Sequence, residues 1–308
     1  MNICITGGAG FIGSHISDLL IENGHRVTIL DNLSSGTTEF IHPSAEFIEI
    51  DIRQKEDIEK IFKTHRFDAV YHEAAQTMVP VSVDNPHFDA DENIMGLLSV
   101  LEAARKTGTK KVIFASSAAI YGDNPALPLS ETETPAPTSF YGLTKMMTEK
   151  YLELYKNFYG LDYTVLRYSN VYGPRQGANG EGGVIYIFAK LLAEGKPLTI
   201  FGDGGQTRDF ISVHDVAAAN LAALTKGSGA VCNVSTETQI TLNDLAAEMV
   251  KQSGKQIEIR HTAPRPGDIY HSVLANENAK NLLGWTPKMD LSEGLRGTIE
   301  FFEKHLRE

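Results

Sequence analysis

The chain is poor in cysteine, in positive charge and in long apolar runs, and each shortage removes a class of protein. Its 308 residues include two cysteines, Cys4 and Cys232. They lie far apart and neither belongs to a CxxC pair. A disulfide framework or a metal site is therefore not expected, and a reducing compartment is. Lysine and arginine total 28 against 39 aspartates and glutamates, a formal net charge of −11. A general nucleic-acid or membrane binder needs a basic surface, so neither partner is expected. Any anionic ligand has to be held by a few locally placed arginines. No stretch approaches the roughly 20 apolar residues of a membrane span, and the opening MNICITGG has no basic leader. The expectation is a cytoplasmic protein. Internal repeats and low-complexity tracts are also missing. Hydrophobic content of 42% with 22% charged residues is ordinary globular composition.

Short apolar runs alternate with amphipathic stretches over the first half. NICIT, RVTIL, EFIEI, DAVYH, KVIFAS and YTVLRYS predict strands of a buried parallel sheet. Helical patterns lie between several of them, at 11–23 closed by Gly24 and at 141–159 closed by Gly160. This alternation predicts an α/β fold with a doubly wound parallel sheet and ligands at the carboxyl ends of its strands. After Ser169 the rhythm changes. The segment 173–183, GPRQGANGEGG, reads as a mobile loop, followed by helical 184–194, an LTIF strand and helical patterns at 213–225, 241–252 and 291–306. The expected division is a dinucleotide-binding domain over 1–168 and a smaller α/β substrate domain over 169–308. Some segments of the second part are expected to return to the first.

TGGAGFIGSH follows the first strand and opens the first helix. It reads in two frames, Gly8-x-Gly10-x-x-Gly13 or Gly7-x-x-Gly10-x-x-Gly13. In either, glycines permit a tight turn and let a pyrophosphate approach the N–H groups at the helix start. Asp31 ends the second strand about 20 residues on, placed to accept ribose hydroxyls and repel a 2′-phosphate, which favours NAD over NADP. Asp51-Ile52 ends the third strand as an adenine contact or a helix cap.

The stretch FASSAAIYG, residues 114–122, ends a strand without an acid, a thiol or a histidine. The next helix begins FYGLTKMM, where Tyr141 and Lys145 are four apart and share a face. A phenol with an ordinary pKa near 10 is a poor base at neutral pH. A nearby ammonium favours its phenolate. With Ser117 sharing the same substrate hydroxyl, the trio forms a proton acceptor for an alcohol whose carbon gives a hydride to NAD.

TGGAGFIGSH, Asp31, SSAAIYG, YGLTK and LRYSNVYGPR together resemble the extended short-chain dehydrogenase/reductases, and within them the nucleotide-sugar C4-epimerases of the UDP-glucose 4-epimerase type. RDFISVHDVA and RPGD extend the likeness over nearly the whole chain. The resemblance implies a Rossmann sheet, catalytic roles for Ser117, Tyr141 and Lys145, and a homodimer through helices near 89–107 and 143–158. It implies NAD contacts from Gly7, Gly10, Phe11, Ile12, Gly13, Asp31, Asn32, Ser34, Gly36, Asp51, Ile52, Ala74, Ala75, Gln76, Asn93, Ser116, Tyr141, Lys145 and Tyr168. It places the diphosphate of a UDP-sugar on Arg208 and Arg265 beside Asn170, and the uridine ribose on Asp268. Leu198, Thr199 and Phe201 would border the uracil, with Gly183 and Val184 also on the substrate.

Two positions depart from the pattern or refine it. Phe140 stands where the family usually has proline. Ser272, four after Asp268, stands where strict glucose/galactose enzymes carry tyrosine. A small residue there leaves room for a 2-acetamido group, unless Tyr270 or His271 fills the gap. The expected reaction is C4 inversion of a UDP-hexose through a transient 4-keto sugar. Alternatives are a UDP-glucuronate 4-epimerase, a sugar-nucleotide dehydratase or decarboxylase, and a non-catalytic NAD-binding redox sensor. Ala118-Ala119 count against dehydratase and decarboxylase, which carry acids there.

Overall fold

A computed structural model describes residues 1–177, 182–264 and 269–305. Seven strands form one parallel sheet: β1 (Asn2–Thr6), β2 (Arg26–Asp31), β3 (Glu46–Glu49), β4 (Ala69–His72), β5 (Lys111–Ser117), β6 (Asp162–Tyr168) and, from the second half, Ala230–Val234. The helices of this half are α1 (Phe11–Glu22), α2 (Lys55–His65), the short α3 (Val79–Asp84) and α4 (Pro86–Ala90), α5 (Gly96–Thr107) and α6 (Phe140–Tyr159). A π-helical turn, Asp91–Met95, joins α4 to α5.

The sheet is covered on both faces, which is why its strands read as continuous apolar runs. On one face Ile3, Ile5, Ile29, Tyr71 and Leu166 pack with α1. On the other, Cys4, Leu30, Val70, Val112 and Val165 pack with α2, α5 and α6. Alternate residues of β1 thus serve opposite cores, as a two-residue strand period requires. Both cysteines are free thiols in the interior.

The second half supplies the remaining strands and α-helices. They are β7 (Asn170–Tyr172), α7 (Val184–Ala193), β8 (Leu198–Phe201), β9 (Thr207–Arg208), β10 (Phe210–Ser212), α8 (Val213–Ala223), β11 (Ala230–Val234), β12 (Ile240–Thr241), α9 (Leu242–Ser253), β13 (Ile259–Thr262) and α10 (Leu291–His305). A smaller core of Phe188, Leu192, Leu198, Ile200, Met249, Ile299 and Phe302 gathers α7, α9 and α10. The second half does not stay apart from the first. β11 joins the large sheet beside β6, and α8 packs against α1.

β11 is absent from the strands expected on sequence. AVCNV is short and carries an asparagine, a weak signal for a buried strand. Asn233 is nevertheless fully buried, because its side chain accepts from Tyr121 Oη at 2.8 Å and donates to the carbonyls of Leu129 at 3.0 Å and Ala275 at 2.9 Å.

The strand order is β11-β6-β5-β4-β1-β2-β3. The chain runs outward from β1 in one direction and then from β4 in the other. The crevice between the carboxyl ends of β1 and β4 is therefore the switch point where such sheets bind ligands. Among the described residues no helix is long and apolar enough to cross a membrane.

Candidate active site

The turn after β1 and the turn after β4 press together at the switch point. A Cβ at Gly7, which has φ +72°, would sit 2.5 Å from the Ala74 nitrogen, and one at Gly13 would sit 2.2 Å from the Gly7 carbonyl oxygen. Glycine at both is the condition for this close approach. α1 starts at Gly10 without a side-chain cap, so the N–H groups of its first turn face the adjoining cavity. That cavity has a volume of about 640 Å³.

Of the expected cofactor residues, Gly7, Gly10, Phe11, Ile12, Gly13, Asp31, Asn32, Ser34, Ile52, Ala74, Ala75, Ser116, Tyr141 and Tyr168 line it. Asp31 accepts from the Ala9 N–H at 3.0 Å and the Leu33 N–H at 2.8 Å. Burial raises its carboxyl above the usual range, with those two N–H groups opposing. Its side chain also lines the cavity. An uncapped helix start, glycines that a methyl group would block and a carboxylate at the end of β2 fit NAD.

Other expected contacts stand behind the wall. Asp51 is held by Arg53 Nε at 2.9 Å and Nη2 at 2.6 Å, which brings its carboxyl down to about 2. Gly36 backs the glycine turn, where a Cβ would lie 2.8 Å from the Ala9 backbone. Gln76 and Asn93 are buried and bonded to each other: the Gln76 N–H donates to Asn93 Oδ1 at 2.8 Å. Asp89 ties both to α6, accepting from Gln76 Nε2 at 2.6 Å and from Thr144 Oγ1 at 2.9 Å. These residues hold the cavity's shape.

The far end of the cavity is built by β5 and α6. Ser139 caps α6, its Oγ accepting from the Gly142 N–H at 3.1 Å; an oxygen cap of this kind is worth about 1 kcal/mol. A Cβ at Gly142 would lie 2.5 Å from the Ala119 carbonyl oxygen. The helix start therefore presses on the strand end, bringing Tyr141 beside Ser117 on the cavity wall. Ser117 Oγ accepts from the Ala119 N–H at 3.1 Å, which leaves its O–H to donate into the cavity.

Lys145 is buried one turn behind Tyr141. Its Nζ donates to the Ala115 carbonyl at 2.8 Å and lies 5.9 Å from the centre of the Tyr141 ring. Burial pushes this ammonium down to about 8, against the pull of Glu73, Asp89 and Glu149. Ser116 donates to Glu149 Oε1 at 2.6 Å, and Glu149 is paired with Arg167 at 2.6 Å.

The expected substrate residues are more dispersed. Gly183 lines the main cavity. Val184 packs toward the small core, and Asn170 donates to the Asp209 carbonyl at 3.2 Å. Phe201 lines a second hollow with Gln206, Pro264, Ile269 and Tyr270. In the same strand Leu198 is buried in the small core and Thr199 is exposed. Arg208 Nη1 donates to the carbonyls of Thr207 at 2.8 Å and Tyr270 at 3.2 Å. Ser272 is half-buried, its N–H donating to the Thr207 carbonyl at 3.3 Å. Arg265, Asp268 and part of the 173–183 loop lie outside the described residues.

Arg175 and Glu73 are among the residues of the main wall that the sequence does not single out. Arg175, in the left-handed region at φ +69°, pairs with Asp18 at 2.8 Å. Glu73 follows β4. Its only sequence signal is an acid at the carboxyl end of a buried strand.

A parallel sheet with a glycine turn at its switch point, and a Tyr/Lys pair at the far end of the same cavity, define an NAD-using enzyme of the short-chain dehydrogenase/reductase kind. Residues 3–235 match the model of the NAD dependent epimerase/dehydratase family, and the chain belongs to that family. It is 40% identical to the UDP-glucose 4-epimerase of Mycolicibacterium smegmatis over 98% of each chain. Its fold is similar to that of the Thermotoga maritima UDP-glucose 4-epimerase solved with UDP-glucose, with a TM-score of 0.97 and 49% identity over 99% of this chain and 100% of the other. It is also similar to a UDP-N-acetylglucosamine 4-epimerase from Methanobrevibacter ruminantium in complex with UDP-N-acetylmuramic acid. That likeness has a TM-score of 0.94 and 40% identity, covering 99% of this chain and 98% of the other.

Proposed function

We propose that the protein inverts C4 of a UDP-hexose, acting on UDP-glucose and UDP-galactose and also on their 2-acetamido counterparts. The observation that carries this reading is the wall where Ser117 and Tyr141 meet, backed by Lys145, with alanines beside them. NAD, when bound, supplies the acceptor and donor of the C4 hydride. Tyr141 takes the O4 proton and later returns it, Ser117 donates to O4, and Lys145 stabilises the phenolate. A 4-keto sugar is formed in between and is rotated before reduction on its other face. Ala118 and Ala119 supply no acid or base to drive loss of a group from it. The direct test is incubation with UDP-galactose, UDP-N-acetylglucosamine and UDP-glucuronate, with products separated. Interconversion at C4 supports the reading, and binding without turnover overturns it.

Ser272 supports room for the acetamido group: its own side chain is small, the Tyr270 hydroxyl donates to Asp203 at 2.9 Å and His271 Nδ1 bonds Thr207 Oγ1 at 2.9 Å. Ser272→Tyr is expected to lower kcat/KM for UDP-N-acetylglucosamine at least about tenfold more than for UDP-glucose. Equal losses would remove Ser272 from the selection.

The outer face of α6 supports a homodimer. Leu143, Met147, Leu154 and Phe158 are exposed and fall on one stripe of the helix, with Met95 exposed just before α5. A second copy presenting the same stripe would cover it isologously. Phe158→Glu is expected to shift the sedimentation coefficient from that of a dimer to that of a monomer.

A further inference from the structure

Glu73 stands at the reacting end of the cavity and has no part in the proton transfer described above. It lines the wall with Ser116, Ser117, Tyr141 and Tyr168. Tyr168 Oη donates to Glu73 Oε1 at 3.2 Å and accepts from Asn220 Nδ2 at 2.8 Å. Tyr71 Oη in turn donates to the Asn220 carbonyl at 3.2 Å. Asn220 can only donate through Nδ2, so the Tyr168 proton is directed at Glu73, which receives it as an acceptor. Such an arrangement suits a carboxylate.

Among the described residues, the charged or titratable groups that act on Glu73 or share its wall are Lys145 and Tyr141 from α6, Tyr168 from β6 and Tyr71 from β4. Asp89 and Glu149 also act on Lys145. Burial lifts the Glu73 carboxyl to about 7, against the pull of Lys145 and the Tyr168 hydrogen bond. On acidification this carboxylate therefore loses its charge at a higher pH than an exposed one.

Tyr141 and Ser117 mark where a hydride must leave and return, so the nicotinamide end of the cofactor belongs beside the same wall. That ring is positive when oxidised and neutral when reduced. A fixed negative charge nearby therefore distinguishes the two forms, and in a cavity of low effective dielectric the difference is large. We propose that Glu73 is a positioning residue that acts through its charge, favouring the oxidised nicotinamide over the reduced one and holding Lys145 as an ammonium. This rests on NAD as the cofactor, but not on which sugar is turned over.

The test uses the full chain stripped of cofactor, titrated calorimetrically with NAD⁺ and with NADH at pH 8. Glu73→Gln, which keeps the shape and removes the charge, is expected to weaken NAD⁺ about tenfold and leave NADH within about twofold. Glu73→Asp, which keeps the charge, is expected to restore the preference. Lowering the pH to 5.5 should move wild type in the direction of Glu73→Gln and leave the glutamine variant's ratio unchanged. In turnover, loss of the carboxylate eases ionisation of Tyr141 and lets Lys145 lose its proton earlier. Both limbs of the kcat–pH profile should then shift down by about one unit. Equal weakening of NAD⁺ and NADH, or an unmoved profile, overturns the proposal and leaves Glu73 a packing residue. Failure of wild type to bind either form would instead overturn the cofactor assignment.

Discussion

Tyr141→Phe is expected to lower kcat for UDP-galactose by about three orders of magnitude while NAD binding stays near normal. The substitution removes a single oxygen. The ring remains 5.9 Å from Lys145 Nζ, and Lys145 keeps its bond to the Ala115 carbonyl. Because Gly142 seats the helix start against Ala119 through backbone contact, the phenyl ring should hold its place on the wall. What disappears is the acceptor for the O4 proton, and no acid or imidazole in FASSAAIYG stands ready to replace it. Steady-state turnover with a coupled assay gives the first quantity, and calorimetric titration with NAD⁺ the second. Wild-type turnover would remove Tyr141 from the mechanism. A matching loss of NAD⁺ affinity would assign it to cofactor binding instead.

The largest stability effect is expected at Arg167. Its guanidinium and the Glu149 carboxylate are both nearly out of solvent, at 6% and 9% side-chain exposure, and 2.6 Å apart. Arg167 also donates to Glu149 Oε1 through Nε at 3.0 Å and to Tyr121 Oη at 2.8 Å. Tyr121 passes the connection on to Asn233 in β11. Arg167→Met would leave the Glu149 charge buried with Ser116 as its remaining hydrogen-bond donor among the described residues. The expected loss is about 3–5 kcal/mol of unfolding free energy. Changing both partners to apolar residues of similar volume should cost much less than the sum, because the desolvation of both charges is removed together. Urea denaturation of the single and double variants measures this. A single-variant loss below about 1 kcal/mol would mean that water reaches the pair and screens it.

The same network shows how far the sequence could be read. YTVLRYS reads as a strand because its apolar residues fill both cores, and the arginine inside it gives no hint of its partner. Glu149 lies in the middle of α6, 18 positions away, at a place that helical periodicity would allow to be solvated. Only packing of α6 onto β5 and β6 brings the two charges together. Asn233 is the same case at longer range: its polarity argues against a strand until Tyr121, Leu129 and Ala275 are seen to satisfy it. The cofactor residues divide for a related reason. The family resemblance places Asp51, Gln76 and Asn93 near the site, whereas facing the cavity or standing behind it depends on neighbours such as Arg53 and Asp89.

Local order in the sequence was enough for the alternation of strands and helices, the glycine turn followed by Asp31, and the Tyr141–Lys145 pair on one face. These depend on periods of two and 3.6 residues and on turn chemistry that operates within a few positions. The tertiary structure alone decided that β11 returns to the large sheet and that Gly142 presses Tyr141 toward Ser117. It alone also brought Glu73 to the wall that Ser117 and Tyr141 share, with Lys145 behind it. Those outcomes depend on contacts between residues dozens of positions apart, and on burial and electrostatic fields that a linear pattern does not carry.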